Sequence, residues 1–208
     1  GMYPHSHGVR LVHDNNPVKS LSHLPEILRS HDYETAFIGA SGIHDPILEK
    51  GFDEYYPLRW KVKNKLKRGL YKILNPNNFL GSAEQFTDVA TNWIKKKSKN
   101  KFFLCIHYED LHWPYEVPQP FENMFDPDYK GEHEFNTLKH GKFSRGDLIF
   151  GKVKLPETDL QHAIAHYDGG IKYTDVQIGR LLDFLKESGL YDDTLIIFTA
   201  DHGENFGE

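Results

Sequence analysis

Asp201 and His202 stand side by side just past Leu195–Phe198, a short apolar run rich in β-formers. A carboxylate and an imidazole are both ligands for divalent cations. In open α/β sheets, ligands gather beyond the carboxyl ends of the strands, which is where this pair falls. Adjacent side chains on a regular strand point to opposite faces. The two can therefore serve one site only if the chain turns, and Gly203 permits that turn. His112 lies past a second apolar run, Phe102–Ile106, and directly before Trp113-Pro114. A histidine past a strand end is the better candidate for chemistry. His44 ends Gly39-Ala-Ser-Gly-Ile-His44 after a third short apolar run, where it faces either the same site or solvent. His5 and His7 are spaced to share a metal, but a packed loop tied by Pro4 and Gly8 is the stronger reading. Cys105 sits inside its apolar run and reads as a small core residue rather than a nucleophile.

The elements that must position these residues follow from periodicity. Ser20–Ser30 is expected to be a helix with Leu21, Leu24, Ile27 and Leu28 on one face and Ser20 or Ser22 as its cap. Thr35–Ile38 reads as a strand ended by Gly39, and residues 39–56 read as a loop. Leu58–Leu74 repeats a leucine or valine every four residues among seven lysines and arginines. It predicts a basic amphipathic helix, most simply the solvated face of a surface helix. Ser82-Ala-Glu-Gln85 is a capping box. Phe86, Val89, Ala90, Trp93 and Ile94 follow at helical spacing, and the lysines at 95–97 suit a helix C-terminus. Phe102–Ile106 and Leu195–Phe198 predict buried strands. Residues 116–155 form a long Pro- and Gly-rich connection, of the kind that is functional or mobile. Pro156 opens a helical region to Ser188, stopped by Gly189. Leu160, Ile164, Tyr167, Ile171, Ile178, Leu181, Leu182 and Leu185 carry its apolar period, and Gly169-Gly170 marks a kink or a close contact. Helices alternating with strands predict an α/β layered domain with a mostly parallel sheet flanked by helices.

Composition narrows the function. The 208 residues carry 25 Lys and Arg against 30 Asp and Glu, a net charge of −5, which argues against a general nucleic-acid binder. No apolar run approaches the ~20 residues of a membrane helix. Gly1-Met-Tyr-Pro-His is not followed by the apolar stretch of a signal peptide. A single cysteine excludes an internal disulfide and leaves the compartment open. Oligomeric state is not addressed by any of these features.

Five segments, in order, carry a resemblance. They are Met2-Tyr-Pro-His-Ser-His-Gly-Val-Arg10; Leu24-Pro-Glu-Ile-Leu-Arg with Tyr33–Gly39 and Gly51-Phe-Asp-Glu-Tyr55; Phe102–His107 with Asp110-Leu-His-Trp-Pro-Tyr115; Ile178–Leu185 with Gly189-Leu-Tyr-Asp-Asp193; and Thr194–Glu204. Together they resemble the sulfatases of the alkaline-phosphatase-like superfamily across nearly the whole chain. The resemblance implies a partial catalytic domain over residues 1–208 and a sulfuric ester hydrolase acting on small-molecule or saccharide sulfate esters. A phosphodiesterase, phosphonate hydrolase or phosphoglycerol transferase on the same scaffold is the alternative, and a non-catalytic degenerate binding module is a second. It implies Asp201 and His202 as ligands of a divalent cation, calcium first, with manganese or zinc as alternatives. It implies His112 at the transferring group and His44 as a substrate contact. The family's nucleophile, a formylglycine made from Cys or Ser in Cys/Ser-x-Pro-x-Arg, has no match in residues 1–208. The resemblance therefore implies that this segment and a small C-terminal subdomain lie outside the chain. It follows that residues 1–208 alone are expected to be inactive. The Gly-Lys-Trp-His that many relatives carry after the early strand is replaced by Gly39-Ala-Ser-Gly-Ile-His44.

Overall fold

The computed structural model describes residues 22–40, 51–58, 82–112, 115, 117–131 and 155–206. The described residues up to Tyr108 belong to one compact unit and those from Glu109 onward to a second. Each unit has its own internal logic.

The first unit is a parallel sheet with helices. Its strands are β1 (Glu34–Ala40), β2 (Glu54–Leu58) and β3 (Phe102–His107), in the order β2-β1-β3. Both pairings are parallel, with Ala36 opposite Glu54 and Ile38 opposite Ile106. As the central strand, β1 is covered on both faces. Thr35, Ala36, Phe37 and Ile38 are all buried, which is why this run lacks polar alternation. Its side chains build an aromatic stack: Phe37 lies 5.1 Å from Tyr55 and 5.6 Å from Phe52, and Phe52 lies 5.9 Å from Phe103.

Helix α1 (Leu24–Arg29) is shorter than its apolar spacing predicts. It begins after His23, whose N–H donates to the Glu26 carboxylate at 2.8 Å. That reciprocal cap displaces the serine caps expected from sequence, and Pro25 fits the first turn. Leu24 and Ile27 are exposed, so the expected apolar face is not buried among the described residues. Helix α2 (Ala83–Lys97) follows the predicted apolar period, but its cap is not the predicted box, since no side-chain cap hydrogen bond forms there. Ser82 is its N-cap, with the Phe86 N–H reaching the Ser82 carbonyl at 3.0 Å. Ala83, Phe86, Thr87, Ala90, Trp93 and Ile94 are its buried face. Trp93 meets Phe102 edge-on at 6.0 Å, tying α2 to β3. The last residue of α2, Lys97, pairs with Glu34 of β1 and with Glu54 of β2, the latter at 3.1 Å. Its hydrogen bonds to those carboxylates raise the Lys97 ammonium above its ordinary value.

Strand β2 falls where a loop is expected. Asp53 creates it: its carboxylate accepts from the Thr35 N–H at 3.0 Å and from the Thr35 hydroxyl at 2.9 Å. In return, the Asp53 N–H points at the Thr35 hydroxyl oxygen, 3.0 Å away. This two-way lock docks the chain onto β1 just before Glu54. Cys105 is half-buried in β3, and burial pushes its thiol up, in keeping with a packed residue rather than a nucleophile.

The second unit is organised by α3 (Glu157–Glu187), a helix of 31 residues. It ends as the glycine predicts. Gly189 has φ +68, its N–H reaches the Lys186 carbonyl at 3.0 Å, and the Leu190 N–H reaches the Leu185 carbonyl at 2.9 Å. These paired bonds satisfy carbonyls that the last turn leaves open.

Its most buried residues, however, are largely polar or small. Asp159, His162, Ala163, Ala165, His166, Gly169, Gly170, Tyr173, Thr174, Gln177 and Leu185 are buried, whereas Ile171 and Val176 are exposed. Gly169-Gly170 is a contact rather than a kink. A Cβ on Gly169 would lie 2.4 Å from the Phe121 carbonyl oxygen, and one on Gly170 would lie 3.3 Å from the Asp110 carbonyl oxygen. The two glycines thus admit the backbone of the chain that runs from Asp110 through a series of turns at 118–129. The rest of the long connection, 132–154, lies outside the described residues, as do the expected basic helix after Leu58 and the histidines at 5, 7 and 44.

The buried strand expected at Leu195–Phe198 is not formed. These residues run as irregular chain and are 86%, 43%, 78% and 81% exposed. A strand needs neighbours to satisfy its backbone groups. Among the described residues, all three strands belong to the first unit, so none in the second offers that ladder.

Candidate functional site

The described candidate residues, His112, Asp201 and His202, all belong to the second unit. Each is exposed. His112 sits in the turn after β3, with its N–H donating to the Glu109 carbonyl at 2.9 Å.

Asp201 and His202 are brought together by the local chain. The His202 N–H donates to Asp201 Oδ1 at 3.1 Å, and His202 Nε2 lies 3.9 Å from Asp201 Oδ2. His202 Nδ1 lies 2.6 Å from the Gly203 carbonyl oxygen, which holds a proton on that nitrogen and leaves Nε2 with its lone pair. One carboxylate and one imidazole nitrogen are thus presented side by side, on side chains 75% and 62% exposed. The donor set fits a divalent cation in kind, but it supplies two positions where calcium takes about six to eight oxygens. Among the described residues, no three His, Cys, Asp or Glu side chains form a group that could hold a metal ion.

The two runs that carry these candidate residues meet in an aromatic cluster. Tyr115 follows His112 by three residues, and Phe206 follows His202 by four. Both rings pack on Tyr167 of α3, at 5.6 Å and 5.5 Å, and on each other at 6.2 Å. Ala163 and Leu155 complete this cluster. Burial, followed by the charges of Glu204 and Asp168, pushes the Tyr167 hydroxyl up. Tyr167 therefore anchors the run carrying His112 and the run carrying Asp201-His202 on one turn of one helix. In the sequence Tyr167 belongs to the apolar period of this helix, and nothing in that period marks it as an anchor.

A second cluster went unpredicted. His162 donates from Nδ1 to Asp126 Oδ2 at 2.9 Å, since a carboxylate only accepts. Tyr129 stacks on the His162 ring at 3.5 Å and donates its hydroxyl to Asp159 at 2.7 Å. His166, one turn on, meets His162 edge-on at 4.6 Å. The spacing of His162 and His166 by four residues was the available signal, because it places both on one helix face.

Comparison with known proteins gives a consistent picture. The family model described as Sulfatase matches residues 1–208. A multifunctional alkaline phosphatase superfamily protein, PehA, from Trinickia caryophylli is 31% identical over 59% of this chain and 27% of its own length. A sulfatase from Formosa agariphila is 27% identical over 94% of this chain and 44% of its own. Human iduronate 2-sulfatase is 26% identical over 95% of this chain and 42% of its own. The chain thus spans less than half the length of these curated relatives. Among solved structures, the phosphonate monoester hydrolase of Agrobacterium radiobacter aligns with a TM-score of 0.71 at 20% identity. That alignment covers 100% of this chain and 52% of the other. The corresponding enzyme of Silicibacter pomeroyi gives a TM-score of 0.63 at 20% identity over 99% of this chain and 52% of its own. These two likenesses establish the fold.

Proposed function

The chain belongs to the sulfatase family, and from that premise we propose that it forms part of a hydrolase of sulfate esters, with an anionic saccharide or another small sulfated molecule as substrate. In this reading Asp201 and His202 hold a divalent cation, and His112 serves the transferring sulfuryl group. The observation that carries it is the convergence of the His112 run and the Asp201-His202 run on Tyr167. When bound, the cation would offset charge on the sulfate oxygens. The protein's own residues do the rest. The Asp201 carboxylate and the His202 imidazole would be two of that cation's ligands, and further ligands would have to come from beyond the described residues. In the same reading His112, exposed in the turn after β3, donates a proton to the departing alkoxide oxygen. His44 is retained as a substrate contact. The formylglycine nucleophile of the family must come from a segment with Cys/Ser-x-Pro-x-Arg, which residues 1–208 lack.

A second reading has its own support. The fold likeness to two phosphonate monoester hydrolases fits a hydrolase of phosphate or phosphonate esters on the same scaffold. The two are separated by assaying the longest natural chain that carries this sequence on an aryl sulfate and on an aryl phosphonate monoester. Faster turnover of the sulfate is expected, with a loss of about 10²–10⁴-fold in His112→Ala. Preference for the phosphonate would move the assignment to the second reading. Unchanged turnover in His112→Ala would remove His112 from the chemistry.

A further inference from the structure

The buried histidine pair of α3 lies beneath the segment 117–131, and the contacts between them form a latch. Three contacts fasten the segment to the helix. Asp126 accepts from His162, the Tyr129 ring lies flat on His162 with its hydroxyl on Asp159, and the Phe121 backbone enters the space left by Gly169, with its ring 5.4 Å from Tyr173. Under these contacts sits His166. It is 3% exposed, and its Nδ1 is buried without a hydrogen-bond partner among the described residues. A buried imidazole with an unanswered nitrogen is tolerated while neutral. A proton there would be a buried charge without a direct acceptor.

We propose that His162 and His166 make the packing of residues 117–131 on α3 acid-sensitive, so that protonation of His166 releases this segment from the helix. The groups facing His166 decide the sign. His162 faces it from its own helix, and a positive charge on either ring opposes one on the other. Glu122 and Asp126 face it from the segment above and favour the proton. Asp126 is already engaged with His162, so its charge is shared. Desolvation is the largest influence and, together with His162, outweighs the two carboxylates, holding His166 below its ordinary value of 6.5. The open form, in which the ring is hydrated, therefore takes up the proton first. The closed form is fully favoured above about pH 6.5 and loses ground as pH falls from there toward the depressed value. Opening moves Asp126 and Tyr129 away and lets water reach both rings. The chain from His112 through Tyr115 leads directly into this segment, so its release would loosen that run as well.

Hydrogen exchange of the whole chain tests this, with rates corrected for the intrinsic pH dependence. Between pH 7.5 and 5.5, exchange of residues 117–131 is expected to accelerate by up to about tenfold per pH unit, the slope of a single proton. Helix α2 should hold its protection over the same range. In His166→Leu, which keeps the volume and removes the titration, protection of 117–131 should be the same at both pH values. Acceleration of equal size in His166→Leu would overturn the proposal, and so would unchanged protection in the natural sequence. Should the variant fail to fold, the His166 ring proton shift in the natural sequence decides instead. A midpoint below 6.5 that coincides with the loss of protection supports the latch, and a midpoint at or above 6.5 refutes it.

Discussion

Adding one methyl group at Gly169 tests the packing of the second unit most directly. The new Cβ would lie 2.4 Å from the Phe121 carbonyl oxygen and 3.2 Å from its carbon. Ordinary contact begins at 3.4 Å, so the oxygen must move by 3.4 − 2.4 = 1.0 Å. Because that oxygen is backbone, no rotamer change relieves the clash. Overpacking of this kind costs about 1–3 kcal/mol. Opposing it, alanine is favoured over glycine inside a helix by about 0.8–1.0 kcal/mol. Gly169→Ala should therefore range from near neutral to about 2 kcal/mol destabilising. The same helix supplies the control. Gly179 has nothing within 4 Å of its notional Cβ, so Gly179→Ala should gain the full propensity term of about 1 kcal/mol. Urea unfolding of the two variants and the parent measures both. The signature is a gap of about 1–3 kcal/mol between two identical substitutions ten residues apart, with Gly169→Ala the weaker. Equal stabilisation of both would show that Phe121 does not approach the helix as described.

Two further substitutions probe the helix end and the aromatic anchor. Gly189→Ala should cost about 1–2 kcal/mol in urea unfolding, because φ +68 is left-handed and a Cβ there meets its own carbonyl. A neutral result would mean that the C-terminal turn of α3 differs from the one described. Tyr167→Ala should loosen the 112–117 and 201–206 runs together, read by proteolysis or amide exchange, while Tyr167→Phe, which keeps the ring, should restore both. Loosening of one run without the other would dissociate the two halves of the proposed site.

Much of the first unit was legible because burial there follows hydrophobicity. Phe86, Ala90, Trp93 and Ile94 recur at helical spacing and are buried at that spacing. Thr35–Ile38 is a continuous near-apolar run and proves to be the central strand. Strand β2 was hidden because Glu54-Tyr-Tyr-Pro-Leu58 contains a proline and lacks alternation. It tolerates both as the edge strand among the described residues, held in place by Asp53 rather than by its own pattern. In α3 the periodicity found the helix and part of its packing face, Leu185 and Tyr167, but missed the most buried part. His162, His166, Gly169 and Gly170 are polar or small, so an apolar count cannot mark them. They are buried because Asp126 answers His162 and because Phe121 needs the room left by Gly169. At Leu195–Phe198 the pattern is that of a sheet strand, yet no described strand of its unit is there to pair with it. The Asp201-His202 pair was legible as residue types, while the role of Tyr167 required the fold.

The order of pairing in the sheet also has a consequence for how the first unit assembles. The β1–β2 pairing joins Ala36 to Glu54, a separation of 54 − 36 = 18 residues, whereas β1–β3 joins Glu34 to Phe102, a separation of 102 − 34 = 68. Loop closure grows with the logarithm of length, so the second pairing carries an entropic cost higher by 1.5RT ln(68/18), about 1.2 kcal/mol. That difference corresponds to roughly a sevenfold disadvantage in closing the longer loop unaided. The shorter closure is also the one held by the reciprocal bonds of Thr35 and Asp53. Helix α2 lies inside the longer loop and shortens it only once formed. The expected sequence is therefore β1 with β2 first, α2 forming independently through its local contacts, and β3 arriving last. Folding kinetics should then respond to Asp53→Ala mainly in the refolding rate and to Phe103→Ala mainly in the unfolding rate.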